Sequence, residues 1–400
     1  MLGKLFKYEF KNTYKLMFII YGVMAFVTIL GCIAMYGDSD PAGTENQLQE
    51  IFFTAAMVFS LTACGGSSDS SSGKGDTASS SSDSSGDKIS IGFAQVGHES
   101  DWRTASTESC RSTFSEENGY DLKFVDCDNK SADQLEAVRN FIEQEVDYII
   151  IDPIVTTGWD TVLKEAKDAG IPVLVIDREI EADDSLYTAW VGSDFTAEGQ
   201  AAGAWLKAYL DAKKITKKVN IVTIAGTNGS SAQIGRTKGF NQYVKSNGWN
   251  LLDEQDGDFT QDGGQKIMES YLKSYKDIDV VVCQNDNEAF GAIDALKAAG
   301  KTYGKDGDII IISFDATNAG LTDVKDGSIN ADFECNPLAA PYVEDIIKKL
   351  KDGSQPESKK IYVDESCFAC DDTVTTFKTD EDKEITMTVV DDSVLKERAY

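Results

Sequence analysis

Histidine is almost missing from this sequence, because His98 is the only one among 400 residues. A lone histidine excludes a histidine-based catalytic dyad elsewhere in the chain, and we expect His98 to lie in a loop without a catalytic role. Basic residues are also scarce, with 38 lysines and arginines against 67 acidic residues and a net charge of −29. Nucleic-acid binding needs a basic surface, so this balance excludes a nucleic-acid partner and indicates an acidic, soluble body.

Motifs for nucleotides and metals are missing as well. The sequence has no GxxxxGK[ST] phosphate-binding loop and no EF-hand loop. Cys367 and Cys370 form a single CxxC motif without the second pair or the histidine that a zinc site requires. We therefore expect no metal and no cofactor. Two disulfides, Cys367–Cys370 and Cys110–Cys127, are compatible with an oxidising compartment, and the sequence leaves the pairing open.

The first 87 residues differ from the rest in composition. Residues 1–50 contain an uncharged stretch, 16–36, long enough to span a bilayer, and their opening resembles an ABC-type permease subunit. Residues 51–64 are a shorter apolar segment that ends in LTAC and resembles the lipobox of bacterial lipoproteins, which predicts a lipidated Cys64. The two signals together indicate either a real membrane anchor or two joined gene starts. Residues 65–87 are rich in serine and glycine and predict a flexible tether.

The remaining chain alternates apolar strands with amphipathic helices. Apolar residues make up 42% of the sequence, enough for a large core in two domains or lobes. Continuous apolar runs, as found in parallel strands covered on both faces, predict strands at 89–96, 121–125, 148–152, 173–177, 219–225, 280–283 and 309–314. Helices between such strands indicate βαβ units with right-handed crossovers.

Two helix ends carry local signals. Ser131 and Gln134 have the spacing of a capping box and predict a helix start, followed by a stripe of apolar residues. Gly170 precedes an Ile-Pro pair and predicts the end of the next helix.

Polar and aromatic clusters follow several of the predicted strands. Trp102 and Arg103 come after the first strand, Asp177 and Arg178 end another, and later strands run into Asn285, Asp286 and Asp315. In open parallel sheets the carboxyl ends of the strands form the ligand-binding edge. An aromatic ring that stacks on C–H groups, together with charged donors and acceptors for hydroxyls, suits a sugar. The sequence therefore predicts a sugar site at this edge.

Each of these residues has a simpler structural explanation when taken alone. A carboxylate or amide at a strand end often caps the next helix, an arginine often forms a surface ion pair, and Trp102 could cover the core. The coincidence of several such strand ends favours a binding site. Arg236 and Phe259 add a cation and an aromatic ring from the later half of the chain.

From about residue 88 to 375 the sequence resembles the ribose-type (type I) periplasmic substrate-binding proteins of ABC sugar importers, in particular the galactofuranose-binding branch. The resemblance rests on GFAQVG.ESDWRTA, DPIVTTGWD, LKEAKDAGIPVLVIDR and GDFT...G..IMES. It departs from the family at His98, where small residues are usual, and at Cys335 with Asn336, where the ribose branch has a glutamine. Together with the strand-end pattern, it predicts ligand-binding residues Glu99, Ser100, Trp102, Arg103, Asp177, Arg178, Arg236, Phe259, Asn285, Asp286, Asp315 and Asn336.

The resemblance implies an α/β fold with two similar doubly wound parallel-sheet lobes joined by a three-segment hinge. The chain crossings then fall near Ser193, Cys335 and Asp364. Lobe one would comprise 88–192 plus 336–364, and lobe two 193–335 plus 365–400. The implied function is capture of a monosaccharide outside the cytoplasmic membrane, with delivery to an ABC permease and its ATPase. The protein would be held at the membrane by the lipid on Cys64 or by the N-terminal helix.

Three other functions compete with sugar import. A membrane-anchored sugar sensor that feeds a signalling receptor would use the same cleft, and nothing in the chain separates it from import. Glycoside hydrolysis needs a carboxyl group with a raised pKa, whereas neighbouring arginines would keep Asp177 and its neighbours ionised, so we expect no enzyme. A DNA-binding regulator with this fold would need a head domain, and no DNA-binding motif precedes Ile89.

Overall fold

The computed structural model describes residues 88–400. The predictions of a membrane span at 16–36, a lipidated Cys64 and a tether at 65–87 lie outside the described residues. Among residues 88–400, every helix is either too short or too polar to span a bilayer.

The described chain alternates strands and helices, as the sequence predicts. The strands are β1 (Ile89–Gln95), β2 (Tyr120–Asp126), β3 (Tyr148–Ile151), β4 (Val173–Ile176), β5 (Ala189–Gly192), β6 (Asn220–Ala225), β7 (Asn250–Asp256), β8 (Val280–Cys283), β9 (Ile310–Asp315), β10 (Ala331–Glu334), β11 (Lys360–Tyr362), β12 (Cys367–Ala369), β13 (Thr376–Lys378) and β14 (Glu384–Val389). The helices are α1 (Asp101–Thr113), α2 (Ser131–Glu143), α3 (Asp160–Asp168), α4 (Phe195–Ala212), α5 (Ser231–Ser246), α6 (Gln261–Ser274), α7 (Asp286–Ala298), α8 (Asn318–Lys325), α9 (Ala340–Lys351) and α10 (Asp392–Glu397).

Within residues 88–400 the strands form two sheets. The first has the order β11-β5-β4-β3-β1-β2, and all its strands run parallel. The second has the order β13-β14-β12-β10-β9-β8-β6-β7, in which β6 to β10 repeat the parallel order of β1 to β5. Helices cover both faces of each sheet, which explains why the central strands are buried apolar runs. The predicted fold class is confirmed.

The chain passes three times between the sheets. It leaves the first sheet after β5, returns after β10 so that α9 packs on the first sheet, and leaves again after β11. The passages comprise residues 193–194, 335–339 and 363–366. The lobe boundaries proposed from the sequence remain a prediction. The first sheet with its helices is called lobe one, and the second sheet with its helices is called lobe two.

All seven predicted strands occur in the structure, each within one residue at either end. The strands that the sequence did not predict are short or carry polar residues. β7 is an edge strand whose residues are half-buried or exposed, so it lacks a continuous apolar run. β10 reads Ala-Asp-Phe-Glu, yet all four residues are buried because β9 and β12 flank it.

The predicted capping box at Ser131 is wrong. The N-cap residue of α2 is Lys130, and no side chain caps this helix start. Gln134 is fully buried instead: its Nε2 donates to the carbonyl oxygen of Asp152 at 2.6 Å, and its Oε1 accepts from the backbone N–H of Ile154 at 3.0 Å. The side chain therefore satisfies backbone groups beyond the end of β3, which is worth more than a hydrogen bond at an exposed helix start.

We expect Gln134→Ala to lower the free energy of unfolding by at least about 2 kcal/mol, because it leaves buried backbone groups without partners. Ser131→Ala, on the same helix turn, is the matched control and should change it by less than about 0.5 kcal/mol. Urea denaturation of the purified variants measures both. A larger decrease in the free energy of unfolding for Ser131→Ala than for Gln134→Ala would show that Ser131 caps the helix.

The six cysteines between residues 88 and 400 are free thiols. Cys110 packs in the core on one face of the first sheet and Cys127 in the core on the other face. Cys367 and Cys370 are likewise divided between the two faces of the second sheet. The sheets keep each pair apart, so neither disulfide suggested by the sequence is present in this part of the chain.

Lobe two contains a buried pair of carboxyl groups. Asp286, at the start of α7, accepts hydrogen bonds from Ser313 Oγ at 2.7 Å and from the backbone N–H and Oγ1 of Thr317 at 2.9 and 2.7 Å. The carboxyl group of Asp332 on β10 lies nearby, and its Oδ2 is buried without a hydrogen-bond partner among residues 88–400. Burial raises the pKa of both carboxyls, and the charge of Asp286 raises the pKa of Asp332 further.

This pair predicts a pH-dependent stability. The pKa of Asp332 is higher in the folded protein than in the unfolded chain, so proton binding by this carboxyl group stabilises the fold. This contribution is complete below the unfolded pKa of about 3.9 and is lost as the pH rises through the folded pKa. Asp332→Asn keeps a hydrogen-bond donor at every pH. Its free energy of unfolding should therefore fall less than that of the wild type between about pH 5 and pH 8.

Urea denaturation across that pH range measures the two slopes. The control is Asp345→Asn, which removes the same charge from an exposed position on α9 and should keep the wild-type slope. If the free energy of unfolding of Asp332→Asn and of the wild type fell equally with pH, the raised pKa of Asp332 would be contradicted.

Candidate functional site

The carboxyl ends of both sheets meet at one cavity of about 270 Å³. Its two walls come from different lobes, because the lining residues are Glu99, Ser100, Trp102, Arg103, Asp177, Arg178, Phe195, Ala232, Arg236, Phe259, Asn285, Asp315 and Cys335. Ten of the predicted site residues line it, whereas Asp286 and Asn336 do not.

Arg103 organises the wall from lobe one. Ser100 is the N-cap of α1 and its Oγ accepts from the backbone N–H of Arg103, which fixes the first turn of the helix. The Arg103 guanidinium, 2% exposed, donates from Nε to Glu99 at 2.8 Å, from Nη2 to Asp177 at 3.0 Å and from Nη1 to Asp152. One cation therefore holds three buried carboxylates that come from the ends of β1, β3 and β4.

Arg236 has the corresponding position in lobe two. Its Nε donates to Glu198 Oε2 at 2.6 Å, its Nη2 lies 3.4 Å from Asp315 Oδ1, and its Nη1 donates to the carbonyl oxygen of Gln284. Arg103 and Arg236 lie on the helix that follows the first strand of their sheets, and Asp177 and Asp315 lie at the ends of the fourth strands. The two lobes therefore present the same Arg–Asp arrangement to opposite sides of the cavity.

Both aspartates of this arrangement have unusual backbone conformations. The φ angles of Asp177 and Asp315 are 57° and 101°, in the left-handed region that side chains other than glycine rarely adopt. Phe259, at 58°, is a third cavity residue in this region. Strained conformations of this kind persist where the surrounding structure fixes them, and they cluster at binding sites.

Aromatic rings form the apolar part of the cavity. Trp102, Phe195, Ala232, Phe259 and Cys335 pack as one cluster. Trp102 Nε1 donates to the carbonyl oxygen of Cys335 at 2.6 Å, which leaves the indole ring as the contacting surface. The Phe259 ring packs directly on the backbone where Gly226 lies, so any side chain at residue 226 would displace it.

Burial outweighs the arginine charges at part of the site. The pKa of Asp315 is raised because burial disfavours its charged form more than Arg236 favours it, and burial raises the pKa of Asp152 in the same way. At Glu99, burial would raise the pKa, but the charges of Arg103 and Arg178 outweigh it and lower the pKa. The expectation that arginines keep the neighbouring carboxyls ionised therefore holds for Glu99 and is wrong for Asp315 and Asp152.

Two predicted ligand residues lie outside the cavity, and a third has an additional role. Asp286 points away into lobe two, towards Ser313 and Thr317. Asn336 Nδ2 donates to the carbonyl oxygen of Asp364 at 3.1 Å, between two of the interlobe passages. Asn285 lines the cavity and also caps α7, because its Oδ1 accepts from the backbone N–H of Glu288. Helix capping and site formation are thus combined in one residue.

Sequence reasoning missed Asp152, Glu198 and the cavity residues Phe195, Ala232 and Cys335. Asp152 follows β3 directly, so the strand-end rule applied to the other aspartates would have found it. Glu198 has no such signal, since it lies inside α4 and meets Arg236 only because α4 and α5 pack closely at Gly199 and Gly239.

The comparisons with known proteins agree with this architecture. The periplasmic binding protein domain matches residues 91–339. The galactofuranose-binding protein YtfQ of Escherichia coli K12 is 41% identical over 275 residues, covering 67% of this chain and 84% of the relative. A Mycobacterium smegmatis protein, solved in complex with β-D-fucofuranose, is 42% identical with a TM-score of 0.68, covering 71% of this chain and 92% of its own.

A third relative is the binding-protein component of the arabinose ABC transporter from Shewanella sp. ANA-3, solved with α- and β-L-arabinofuranose. It is 38% identical with a TM-score of 0.67, and the match covers 71% of this chain and 93% of that structure. The Escherichia coli and Shewanella relatives are named as binding proteins. The fold, the shared cavity between two lobes and the extent of these matches show that the chain belongs to the ribose-type (type I) periplasmic binding protein family.

Proposed function

We propose that this protein captures a monosaccharide outside the cytoplasmic membrane and delivers it to an ABC permease with its ATPase. The observation that carries the proposal is the cavity of about 270 Å³, whose walls bring an Arg–Asp pair from each lobe together with aromatic rings. A ligand in this cavity touches both lobes at once. Such a ligand stabilises the closed arrangement through its contacts with both walls.

The chemistry of the walls favours an uncharged, polyhydroxylated ring. Arginine donates and aspartate accepts, so each hydroxyl finds a partner for its proton or its lone pairs. Trp102 and Phe259 supply apolar faces for the C–H groups of a sugar ring. Both signs of charge line the cavity, which gives a neutral ligand more complementary contacts than an anion or a cation would find.

We propose a furanose, such as galactofuranose, as the ring form. The support comes from the relatives, whose names or bound ligands are galactofuranose, β-D-fucofuranose and L-arabinofuranose.

Hydrolysis of a glycoside is not favoured. The raised pKa of Asp315 would allow it to act as an acid, so the charge argument from the sequence no longer excludes this chemistry. The relatives are binding proteins, however, and several are named for sugar import, including the ribose import binding protein of Escherichia coli. The same names favour import over the sensor that the sequence left open.

The proposed location is the outer face of the cytoplasmic membrane, with Cys64 as the lipidated N-terminus. This part of the proposal rests on the LTAC sequence before Gly65 and on the serine-rich tether that follows it. The tether would have an end-to-end distance of about 25 Å, which is enough to hold the two lobes off the membrane.

Calorimetry with galactofuranose tests the site. Trp102→Ala should weaken binding by about 1–3 kcal/mol through the lost ring contact. Asp177→Asn should weaken it by about 1–3 kcal/mol because it removes a charged acceptor, while asparagine tolerates the left-handed backbone at this position.

The control is Asn336→Ala, which changes a residue that the sequence predicted as a ligand contact and the structure places outside the cavity. It should bind with unchanged affinity. Wild-type affinity of both Trp102→Ala and Asp177→Asn, with melting temperatures showing folded protein, would place the ligand elsewhere.

Closure of the lobes is a second expected outcome. The lobes contact each other at the cavity rim through few hydrogen bonds, including Asp101 N–H to Asn287 at 3.1 Å and Glu179 N–H to Ser231 Oγ at 2.7 Å. Small-angle scattering should show a smaller radius of gyration when the protein is saturated with sugar. A radius that stays constant upon binding would argue for a rigid cleft.

A further inference from the structure

The three interlobe passages meet behind the sugar cavity. Each contributes one side chain at the meeting point: Ser193, Cys335 and Glu365. Ser193 Oγ donates to Glu365 Oε1 and lies 3.4 Å from Cys335 Sγ. Glu198, from the first turn of α4, completes the group. These residues are far apart in the sequence, which is why no metal-binding motif is visible there.

The donor atoms of this group are close enough to bind one ion. A carboxylate oxygen of Glu198, one of Glu365 and Cys335 Sγ all lie within 4.8 Å of one another. Zinc binds sulfur at about 2.3 Å and carboxylate oxygen at about 2.0–2.2 Å in tetrahedral geometry, so two ligand atoms of one ion lie about 3.3–3.7 Å apart. The three atoms must therefore approach one another by up to about 1.5 Å. The exposed side chain of Glu365 can supply this movement.

Glu198 has an oxygen left for a ligand. Its side chain is 3% exposed, and Oε2 accepts from Arg236 Nε at 2.6 Å. Oε1 is buried and accepts no hydrogen bond from any group in residues 88–400. A buried carboxylate oxygen without a partner is costly, so this position favours an added cation or proton.

The charges of this residue group favour the binding of a dication. Glu198, Glu365 and a Cys335 thiolate carry three negative charges, and Arg236 supplies one positive charge, which leaves a net charge of about −2 for an ion to balance. Burial raises the pKa of Glu198 to about 7 and also raises the pKa of Cys335, so an ion binds in competition with protons.

Solvent reaches the group from the side opposite the sugar cavity. A groove of about 970 Å³ is lined there by Glu198, Glu365 and further acidic residues, among them Glu334 and Glu384. Its negative charge attracts cations, and it gives an ion a route that does not pass through the sugar site.

We propose that Glu198, Cys335 and Glu365 bind a divalent transition-metal ion, zinc by their chemistry, at the junction of the two lobes. A thiolate with two carboxylates suits zinc, whereas calcium and magnesium prefer oxygen ligands alone. Binding requires the thiolate, so the Cys335 proton is released to solvent and a water molecule completes the four ligands. The ion joins two passages to α4, and thereby to Arg236 at the sugar cavity. The site does not depend on the identity of the sugar.

Cobalt(II) titration of the reduced, full-length protein is the primary test, because a cobalt–thiolate bond produces a near-ultraviolet charge-transfer band. We expect a band that saturates at one equivalent and disappears when zinc is added. Cys335→Ser and Glu365→Gln should each lose it. Glu365→Gln keeps the size of an exposed side chain and an oxygen that accepts from Ser193 Oγ, so we expect this variant to fold. Cys367→Ser, which alters another thiol of the same groove, is the matched control and should keep the band.

Zinc should also raise the melting temperature of the wild type and of Cys367→Ser but not of Glu365→Gln, because an ion that binds only the folded state stabilises it. A missing band in the wild type would overturn the proposal. A band that persists in Cys335→Ser, or disappears in Cys367→Ser, would overturn it equally.

Discussion

The buried guanidinium of Arg103 is the interaction on which the wall from lobe one depends. It lies among Glu99, Asp152 and Asp177, which come from three different strand ends. Without this cation, three carboxylates would share a space with little water, and the penalty for an uncompensated buried charge is about 3–5 kcal/mol. This one side chain therefore ties Glu99, in the segment before α1, to the ends of β3 and β4.

Each lobe places a buried arginine among carboxyl groups. Arg236 pairs with Glu198 and Asp315 on the opposite wall, in positions that correspond to those of Arg103 and Asp177. Arg103 has three carboxylates and Arg236 has two, so the negative charge exceeds the positive charge on both sides. Burial is the main cause of the raised pKa values of Asp152 and Asp315, and the charges of neighbouring carboxylates add to it. A network of this kind orients fixed donors and acceptors around a neutral ligand and adds little net stability.

A few residues at the junction of the lobes make several different contacts. Cys335 accepts the Trp102 hydrogen bond through its carbonyl oxygen, contributes its side chain to the cavity and lies in an interlobe passage. Glu198 holds Arg236 from behind. A change in the groove lined by Glu198 and Glu365 is therefore separated from the sugar cavity by a single side chain. This junction is where binding in the groove could affect binding in the sugar cavity.

The strand pattern and the family resemblance together predict the fold and most of the cavity wall, because buried parallel strands leave continuous apolar runs and their carboxyl ends lie at one edge. The different roles of Asn285 and Asp286 depend on tertiary contacts, since adjacent residues at a helix start point in different directions and Asp286 turns towards Ser313. The tertiary structure also decided the role of Gln134, whose partners lie on strands rather than on its own helix. The contact of Glu198 with Arg236 likewise depends on how closely two helices approach, which the distance between residues along the chain does not encode.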